Sequence, residues 1–405
     1  MTPGGRGGDA DDRVEYEPVS VKELLGEMKD IAELLIDLSY SSVLFDSRAL
    51  AEEVLELESE MDVLQLKARM SLVMAGRSPE EAEQLAPIFG IVGAAEKISD
   101  AAGDIAKVVL EDIGLPTALR SSLPDPVEAL ARAELAADSA YADRTLADIN
   151  LETETGVRVL AIRRSDEWVL NPDRETVLRA DDVLLCRGPD DGIAGVYETA
   201  TGEPFERPAV SESDIADLDR AVETVVLMKN VSELAVDLAY GSVLFDDPEL
   251  AREVSELEVE VDALKSRFEA WALRAAAEVE DPVTIRGLLH IAASTEVISD
   301  AALEISEGVL RGLGSHPVVQ AAVEASDEVL VSVPVAAGSD LADTTIREQE
   351  LRTTTGMLVI AIRRESAGET DWLLTPDPGT TLRAGDTLIA KGTRTGAERL
   401  RNLAG

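Results

Sequence analysis

The chain repeats itself, and that repeat limits what it can fold into more than any other feature. Residues 151–164 read Leu151-Glu-Thr-Glu-Thr-Gly156-Val-Arg-Val-Leu-Ala-Ile-Arg-Arg164, and residues 351–364 read Leu351-Arg-Thr-Thr-Thr-Gly356-Met-Leu-Val-Ile-Ala-Ile-Arg-Arg364. The two phrases lie 200 positions apart. The same offset relates Asp37-Leu-Ser-Tyr-Ser-Ser-Val-Leu-Phe-Asp46 to Asp237-Leu-Ala-Tyr-Gly-Ser-Val-Leu-Phe-Asp246, and Glu96-Lys-Ile-Ser-Asp100 to Glu296-Val-Ile-Ser-Asp300. A unit with a helical part and then a strand part has been duplicated, so the 405 residues must bury each kind of core twice.

The helical part is legible from its period. Leu24, Leu25, Met28, Ile31, Leu35 and Leu38 recur at three- and four-residue steps and predict one apolar stripe. The pattern breaks at Phe45-Asp46-Ser47, and a second stripe follows with Leu50, Val54, Leu57, Met61, Leu64 and Ala68. Gly76 then stops that helix, and Ser78, Pro79 and Glu81 predict a fresh start with a capping box. A third helix runs on to Gly114-Leu-Pro116. The second copy repeats the order, which predicts two bundles of three antiparallel helices.

The strand part is shorter. Residues 127–137 form a short helix or strand, and Val157–Ile162, Glu167–Leu170 and Asp182–Cys186 read as strands punctuated by turns at Asn171-Pro-Asp173 and Arg179-Ala-Asp-Asp182. In the second copy the strands are 357–362, 371–374 and 386–390. Between Trp168 and Trp372 the offset has grown to 204, which places four extra residues in the hairpin after Arg364. The expected class is α+β and multidomain: two helical bundles alternating with two small α+β modules. The expected domains are a flexible tail at 1–17, bundles at 18–115 and 211–315, and small modules at 124–204 and 322–405.

Charge narrows the partners. The formal net charge is −43, from Asp+Glu 80 against Lys+Arg 37, and phosphate backbones would be repelled over most of the surface, so nucleic acid is excluded as a general partner. Self-repulsion on this scale is relieved by screening, which points to a halophilic protein of a salt-accumulating cytoplasm. No apolar run approaches a membrane span and the first dozen residues lack a signal core, so the chain is expected to be cytoplasmic and not membrane-embedded. Cys186 stands alone in an apolar run and reads as a small buried hydrophobe.

The phrases Ala142-Asp-Arg-Thr-Leu-Ala-Asp-Ile149, Thr155-Gly156, Val159-Leu-Ala-Ile-Arg-Arg164 and Thr176-Val-Leu-Arg-Ala-Asp-Asp-Val183 resemble the C-terminal regulatory domain of TrkA-type potassium-uptake proteins, the RCK-C module. Leu341-Ala-Asp-Thr-Thr345, Thr355-Gly356, Ala361-Ile-Arg-Arg364 and Thr381-Leu-Arg-Ala-Gly-Asp386 match it again. The helical parts resemble PhoU through Glu96-Lys-Ile-Ser-Asp-Ala-Ala102, Glu296-Val-Ile-Ser-Asp-Ala-Ala302 and the acidic phrase Glu56–Asp62. The His of the PhoU phrase is Ala101 and Ala301 here. What the resemblance implies is a cytosolic regulatory, ligand-sensing subunit for cation transport (potassium or magnesium), peripheral to the membrane through a transporter or channel partner. It implies RCK-C modules that pair, within the chain or in a homodimer, and hold a small anion such as cyclic di-AMP between them. A TrkA protein also carries a dinucleotide-binding domain, but no Gly-x-Gly-x-x-Gly follows a strand here.

Two residue sets are candidate sites. The adjacent arginines Arg163, Arg164 and Arg363, Arg364 form a prospective anion clamp, since guanidinium suits phosphate geometry; salt bridging to the abundant acids is the competing role. The acidic pairs Glu33/Asp37, Glu96/Asp100, Glu233/Asp237 and Glu296/Asp300 stand at i and i+4, near enough on a helix to clamp one divalent metal ion with oxygen ligands. By the helical step they also lie opposite the apolar stripes, where solvated acids belong. His290 and His316 have no Cys or His neighbours, and no nucleophile–base arrangement stands out, so the chain reads as non-enzymatic. The rival function is a PhoU-like phosphate-signalling or metal-binding protein whose RCK-C modules only dimerise.

Overall fold

The computed structural model describes residues 20–405 apart from 77, 117–128, 166, 171, 206–214, 313–316, 326–328 and 367–368. The expected tail, His316 and the tip of the inserted hairpin lie outside the described residues.

Helices α1 (Val21–Leu44), α2 (Arg48–Ala75) and α3 (Pro79–Leu110) form the first bundle. Every residue of the two predicted stripes is buried. Asp46 turns the chain between α1 and α2 in the left-handed region (φ 49°), and the Ser47 side chain accepts the Leu50 N–H to cap α2. The second bundle is α7 (Ala216–Phe245), α8 (Pro248–Ala275) and α9 (Arg286–Leu310), and Asp246 makes the same turn at φ 51°. Here Asp247 is the cap, accepting from Glu249 and Leu250, with Pro248 pre-set in the first helical turn.

The bundles join face to face through α3 and α9, which run antiparallel. Gly308 is needed where Pro87 approaches: a Cβ there would lie 2.9 Å from Pro87 Cβ. Contacts across the join are reciprocal. Lys29 sits over the Tyr240 ring at 5.4 Å, and Lys229 sits over the Tyr40 ring at 5.2 Å. Such i-to-j and j-to-i pairing is the mark of a two-fold relation, so the duplication builds a pair of bundles inside one chain. A single apolar core runs through both. Helix α10 (Pro317–Ala325) belongs to the second copy but lies along α1 of the first.

Each small module is a four-stranded antiparallel sheet. The first consists of β1 (Ala129–Glu134), β2 (Arg158–Arg164), β3 (Glu167–Leu170) and β4 (Val183–Gly188) in the order β1-β4-β2-β3. The second has β5 (Val329–Pro334), β6 (Met357–Ser366), β7 (Glu369–Leu374) and β8 (Thr387–Gly392) in the order β5-β8-β6-β7. Within segment 127–137, ambiguous between helix and strand, residues 129–134 form the edge strand β1. The extra residues of the second copy lengthen both arms of the β6–β7 hairpin, while Trp372 stays opposite Arg363 as Trp168 stays opposite Arg163.

A bulge in each central strand, after Val159 and after Val359, turns two successive residues toward the helices. Leu160 and Ala161, like Ile360 and Ala361, pack on the bundle core, while Val159, Ile162 and Cys186 fill a separate core on the far face. Burial pushes the Cys186 thiol up to about 12, consistent with an inert packing role. The far face is closed by the short helices α5 (Leu151–Thr155) and α11 (Leu351–Thr355) and by α6 (Asp190–Thr201) and α12 (Arg394–Ala404). A further short helix, α4 (Leu146–Ile149), precedes α5.

The repeated Thr-Gly phrase ends α5 and α11. Gly156 (φ 71°) and Gly356 (φ 74°) take the left-handed conformation that terminates a helix, and each donates its N–H back into the turn before.

Because one face of each sheet is covered by helices of its bundle and the other by its own short helices, the two small modules do not pair with each other. No element of one packs broadly on the other among the described residues. The intramolecular pair expected of the small modules is made by the bundles instead.

Candidate functional site

Side chains alternate between the two faces of a strand, and this decides what the repeated Arg-Arg can do. Arg163 points to the helices and Arg164 to the opposite side. The Arg164 guanidinium forks onto Asp182 (Nε 2.8 Å, Nη2 2.7 Å) and also donates to Val177 O at 2.9 Å. Asp182 is 1% exposed and accepts the Arg179 N–H as well, so it ties the central strand to the turn that leads into β4. Arg364 repeats the fork on Asp386 (2.8 and 2.7 Å), with Thr381 O as its third partner. Arg163 and Arg164 therefore cannot close on one anion, nor can Arg363 and Arg364. The clamp read from their adjacency is corrected by the sheet: the arginines are held by carboxylates on opposite faces.

Arg163 and Arg363 instead build a seam between sheet and helices. Glu53 on α2, 2% exposed, accepts Arg163 Nε at 2.5 Å and Nη2 at 2.7 Å, and Arg132 Nε of β1 at 2.9 Å. These bonds hold the Arg163 guanidinium charged and raise its already high pKa, the Glu53 hydrogen bond being the main cause. In the second copy Arg363 reaches the α8 cap Asp247 at 3.3 Å. A second bridge is common to both copies: Arg187 of β4 pairs with Asp37 of α1, and Lys391 of β8 pairs with Asp237 of α7 at 2.7 Å. Asp37 and Asp237 thus face the sheets. The helical step put them opposite the apolar stripe, which is correct, but that side of α1 and α7 is covered by a sheet and not by solvent. Glu53, Arg132, Asp247, Arg187 and Lys391 went unrecognised as members of this seam, because nothing local marks a partner on another element.

The remaining acids divide in two. Glu33 pairs with Lys29 (2.7 Å), itself 1% exposed, and Glu233 pairs with Lys229. Both pairs belong to the join between bundles. Glu96 is paired with Arg69 at 3.1 Å and Glu296 with Lys265. Near them the facing acids of α2 and α3 repel one another: the Asp100 carboxyl is raised by burial, then by Glu96 and Asp62, and Asp300 is raised by burial, then by Glu296 and Asp262. Glu33 with Asp37, and Glu233 with Asp237, therefore serve different neighbours. Glu96 and Glu296 already hold cationic side chains, and no group of three or more His, Cys, Asp or Glu side chains among the described residues is placed to hold a metal ion. Six of the eight acids have a cationic partner: Glu33, Asp37, Glu96, Glu233, Asp237 and Glu296.

The sign of the Asp100 and Asp300 shifts gives a first prediction. An acid whose pKa is raised on folding is a cost once ionised, so its contribution to stability is lost as pH climbs from the ordinary carboxylate range through the raised value. Asp100→Asn/Asp300→Asn is expected to raise Tm at neutral pH and low salt by about 1–2 °C, a small gain because these groups are solvent-screened. The gain should shrink in molar salt, which screens the repulsion by neighbouring acids but not the burial, and vanish below about pH 4, as read by calorimetry.

Comparison with known proteins places these elements. The TrkA-C domain model matches residues 130–200 and 330–405, and the PhoU domain model matches residues 25–109 and 225–309. No curated protein matches the chain by sequence. Among solved structures it is similar to PhoU from Pseudomonas aeruginosa, at 15% identity and TM-score 0.39, covering 72% of this chain and 96% of that one. It is also similar to the GsuK RCK domain (16% identity, TM-score 0.19, 68% and 63% covered) and to the GsuK channel bound to NAD (16%, 0.18, 68% and 52%). None of these overlaps is close enough to carry function across. No helix among the described residues is long and apolar enough to cross a membrane. The chain belongs to the proteins built of PhoU and TrkA-C domains in alternation, with each domain present twice.

Proposed function

We propose that this protein is a regulatory, non-enzymatic subunit of a membrane cation transporter or channel, for potassium or magnesium, in which the TrkA-C modules sense a small anion such as cyclic di-AMP and the PhoU bundles pass the change on. The observation that carries the reading is the seam. In both copies a cation at the same strand position, Arg187 or Lys391, holds the same helix acid, Asp37 or Asp237. A ligand that shifts a sheet must strain or release these bridges, and it acts only through its different affinity for the two arrangements. Because the sheets do not face each other within the chain, pairing of TrkA-C modules would take place between two chains.

Arg187→Glu/Lys391→Glu tests this in cells of the source organism. Potassium uptake is expected to lose its regulation in this variant, while the charge-swapped partner variant with Asp37→Arg and Asp237→Arg added restores most of it. Unchanged regulation in Arg187→Glu/Lys391→Glu would sink the reading. One observation favours the rival metal-binding or phosphate-signalling role, namely the two mutually repelling acid groups around Asp100 and Asp300. A divalent ion that stabilises wild type but not Asp100→Asn/Asp300→Asn would support that rival.

A further inference from the structure

The outer furrow of each bundle, between α2 and α3 and between α8 and α9, keeps an apolar end through the duplication. Leu273 of α8 is 75% exposed, and its equivalent, Val73 of α2, is 69% exposed. Leu289 of α9 and its equivalent, Phe89 of α3, are exposed as well. Single apolar side chains at a surface are ordinary. Here two equivalent positions in each copy stay large and apolar although the residue type has changed. Neighbouring positions of α2 and α8 did not keep their character: Leu66 stands against Ser266, Arg69 against Glu269 and Met74 against Arg274.

The other end of the furrow is acidic and in register with the first. Leu273 and Asp262 are eleven residues apart on α8, and so are Leu289 and Asp300 on α9. Eleven residues make about three helical turns, so the members of each pair share a face and stand about 16 Å apart along it. The two helices meet along that face. Lys265 of α8 pairs with Glu296 of α9, and the Asp300 carboxyl is raised by burial, then by Glu296 and by Asp262 of the facing helix. Glu258 is raised by burial first, then by Asp262 and Asp300. Lys265 and Lys97 hold Glu296 and Glu304, while Glu258, Asp262 and Asp300 have no ion pair among the described residues. Val73 with Asp62, and Phe89 with Asp100, repeat the spacing in the first copy. There Lys107 holds Asp104 and Glu58, and Asp62 and Asp100 again have no ion pair among the described residues.

We infer that each furrow is the docking surface for a cationic amphipathic helix of a partner protein, with its Lys or Arg side chains on the acids and its apolar residues on Leu273 and Leu289, or on Val73 and Phe89. A furrow between two helices takes a third helix, which anchors through side chains spaced at i, i+3, i+4 and i+7. The unpaired carboxylates select positive charge in the occupant. The apolar end three turns away selects length, because a bare cation on the acids would leave it uncovered. An anionic lipid surface would be repelled by the same acids. Cytosolic segments of membrane proteins carry an excess of Lys and Arg, so a transporter presents the chemistry the furrow takes. The two furrows follow the two-fold relation of the bundles, which suits a partner that offers its segment twice. The inference names the contact surface for the transporter of the function proposed above and rests on that reading.

Fluorescence anisotropy of a labelled synthetic helix, titrated with the full chain, tests it. The probe is about 16 residues long, with two arginines at one end and two leucines about three turns further along the same face. The control peptide has the same composition with arginines and leucines interleaved. The probe is expected to bind at least tenfold more tightly than the control, at two sites per chain, and severalfold more weakly in molar KCl, which screens its charged end. Val73→Ser/Leu273→Ser should weaken it about tenfold through lost apolar burial, and Asp62→Asn/Asp262→Asn severalfold. All four residues are exposed, so folding is preserved, and Leu358→Ser, at an exposed position of β6, should leave the affinity unchanged. A control peptide bound as tightly as the probe, or a probe affinity unaltered by Val73→Ser/Leu273→Ser, overturns the inference. That failure is distinct from failure of the regulatory reading, which is read by potassium uptake through the seam variants and needs no synthetic helix.

Discussion

Glu53→Ala is expected to loosen the first TrkA-C module from its bundle and to cost about 2–3 kcal/mol. The wild-type carboxylate is almost fully buried and is the shared partner of Arg132 and Arg163. Removing one member of a buried pair leaves the other charge uncompensated, which costs about 3–5 kcal/mol when that charge stays dry. Here Arg132 and Arg163 are 21% and 25% exposed, so water recovers part of their solvation and the lower figure applies. Hydrogen exchange locates the effect: amides of β1 and β2 should lose about 30- to 100-fold of their protection, while β5 and β6 keep theirs. Glu53→Gln keeps the shape and an acceptor, and should cost about half as much. Equal loss of protection in both sheets would show that the seam is not local.

Gly192→Ala and Gly396→Ala should each cost about 3 kcal/mol, at the upper end for overpacking, because the obstacle is backbone. A methyl at Gly192 would overlap the Thr155 carbonyl oxygen and lie 2.9 Å from Val157 Cγ2; one at Gly396 would overlap the Thr355 carbonyl oxygen and lie 3.0 Å from Met357 Sδ. Those carbonyls have little room to retreat, since the Thr155 and Thr355 hydroxyls pin the same residues, accepting the N–H of Val157 and Met357 and donating to Leu151 O and Leu351 O at the ends of α5 and α11. Gly195 supplies the control on the same helix. Nothing lies within 4 Å of a Cβ there, so Gly195→Ala should stabilise by about 0.5–1 kcal/mol through the lost backbone freedom of glycine. Denaturant unfolding that ranked Gly195→Ala and Gly192→Ala alike would refute the packing account of α6.

These cases show how far the sequence could be read. The helical stripes were legible because burial on one face imposes a 3.6-residue period, and Leu24 through Leu38 obey it without exception. Helices α6 and α12 were not. Gly192 and Gly195 dilute the helical signal of α6, and Gly192 is required there by a carbonyl from another element. The Arg-Arg clamp was misread although the alternation of a strand, which separates neighbouring side chains, was already visible in the same phrase. Glu53 was beyond reach for a different reason: its partners lie 79 and 110 residues away, and nothing in the stretch around it marks it as other than one more surface acid.

What the sequence by itself determined is the duplication, the kinds of element in each copy, the inward faces of the long helices and the kinship with PhoU and TrkA-C domains. All of these follow from patterns repeated over a few residues or carried intact through the duplication. Only the tertiary structure decided that the internal pair is made by α3 and α9 and not by the sheets, and that Arg163 and Arg164 serve opposite faces. Two copies of a unit can be joined through any complementary face. The choice among faces rests on side chains far apart in sequence, such as Lys29 with Tyr240, which become neighbours only when the bundles close on each other.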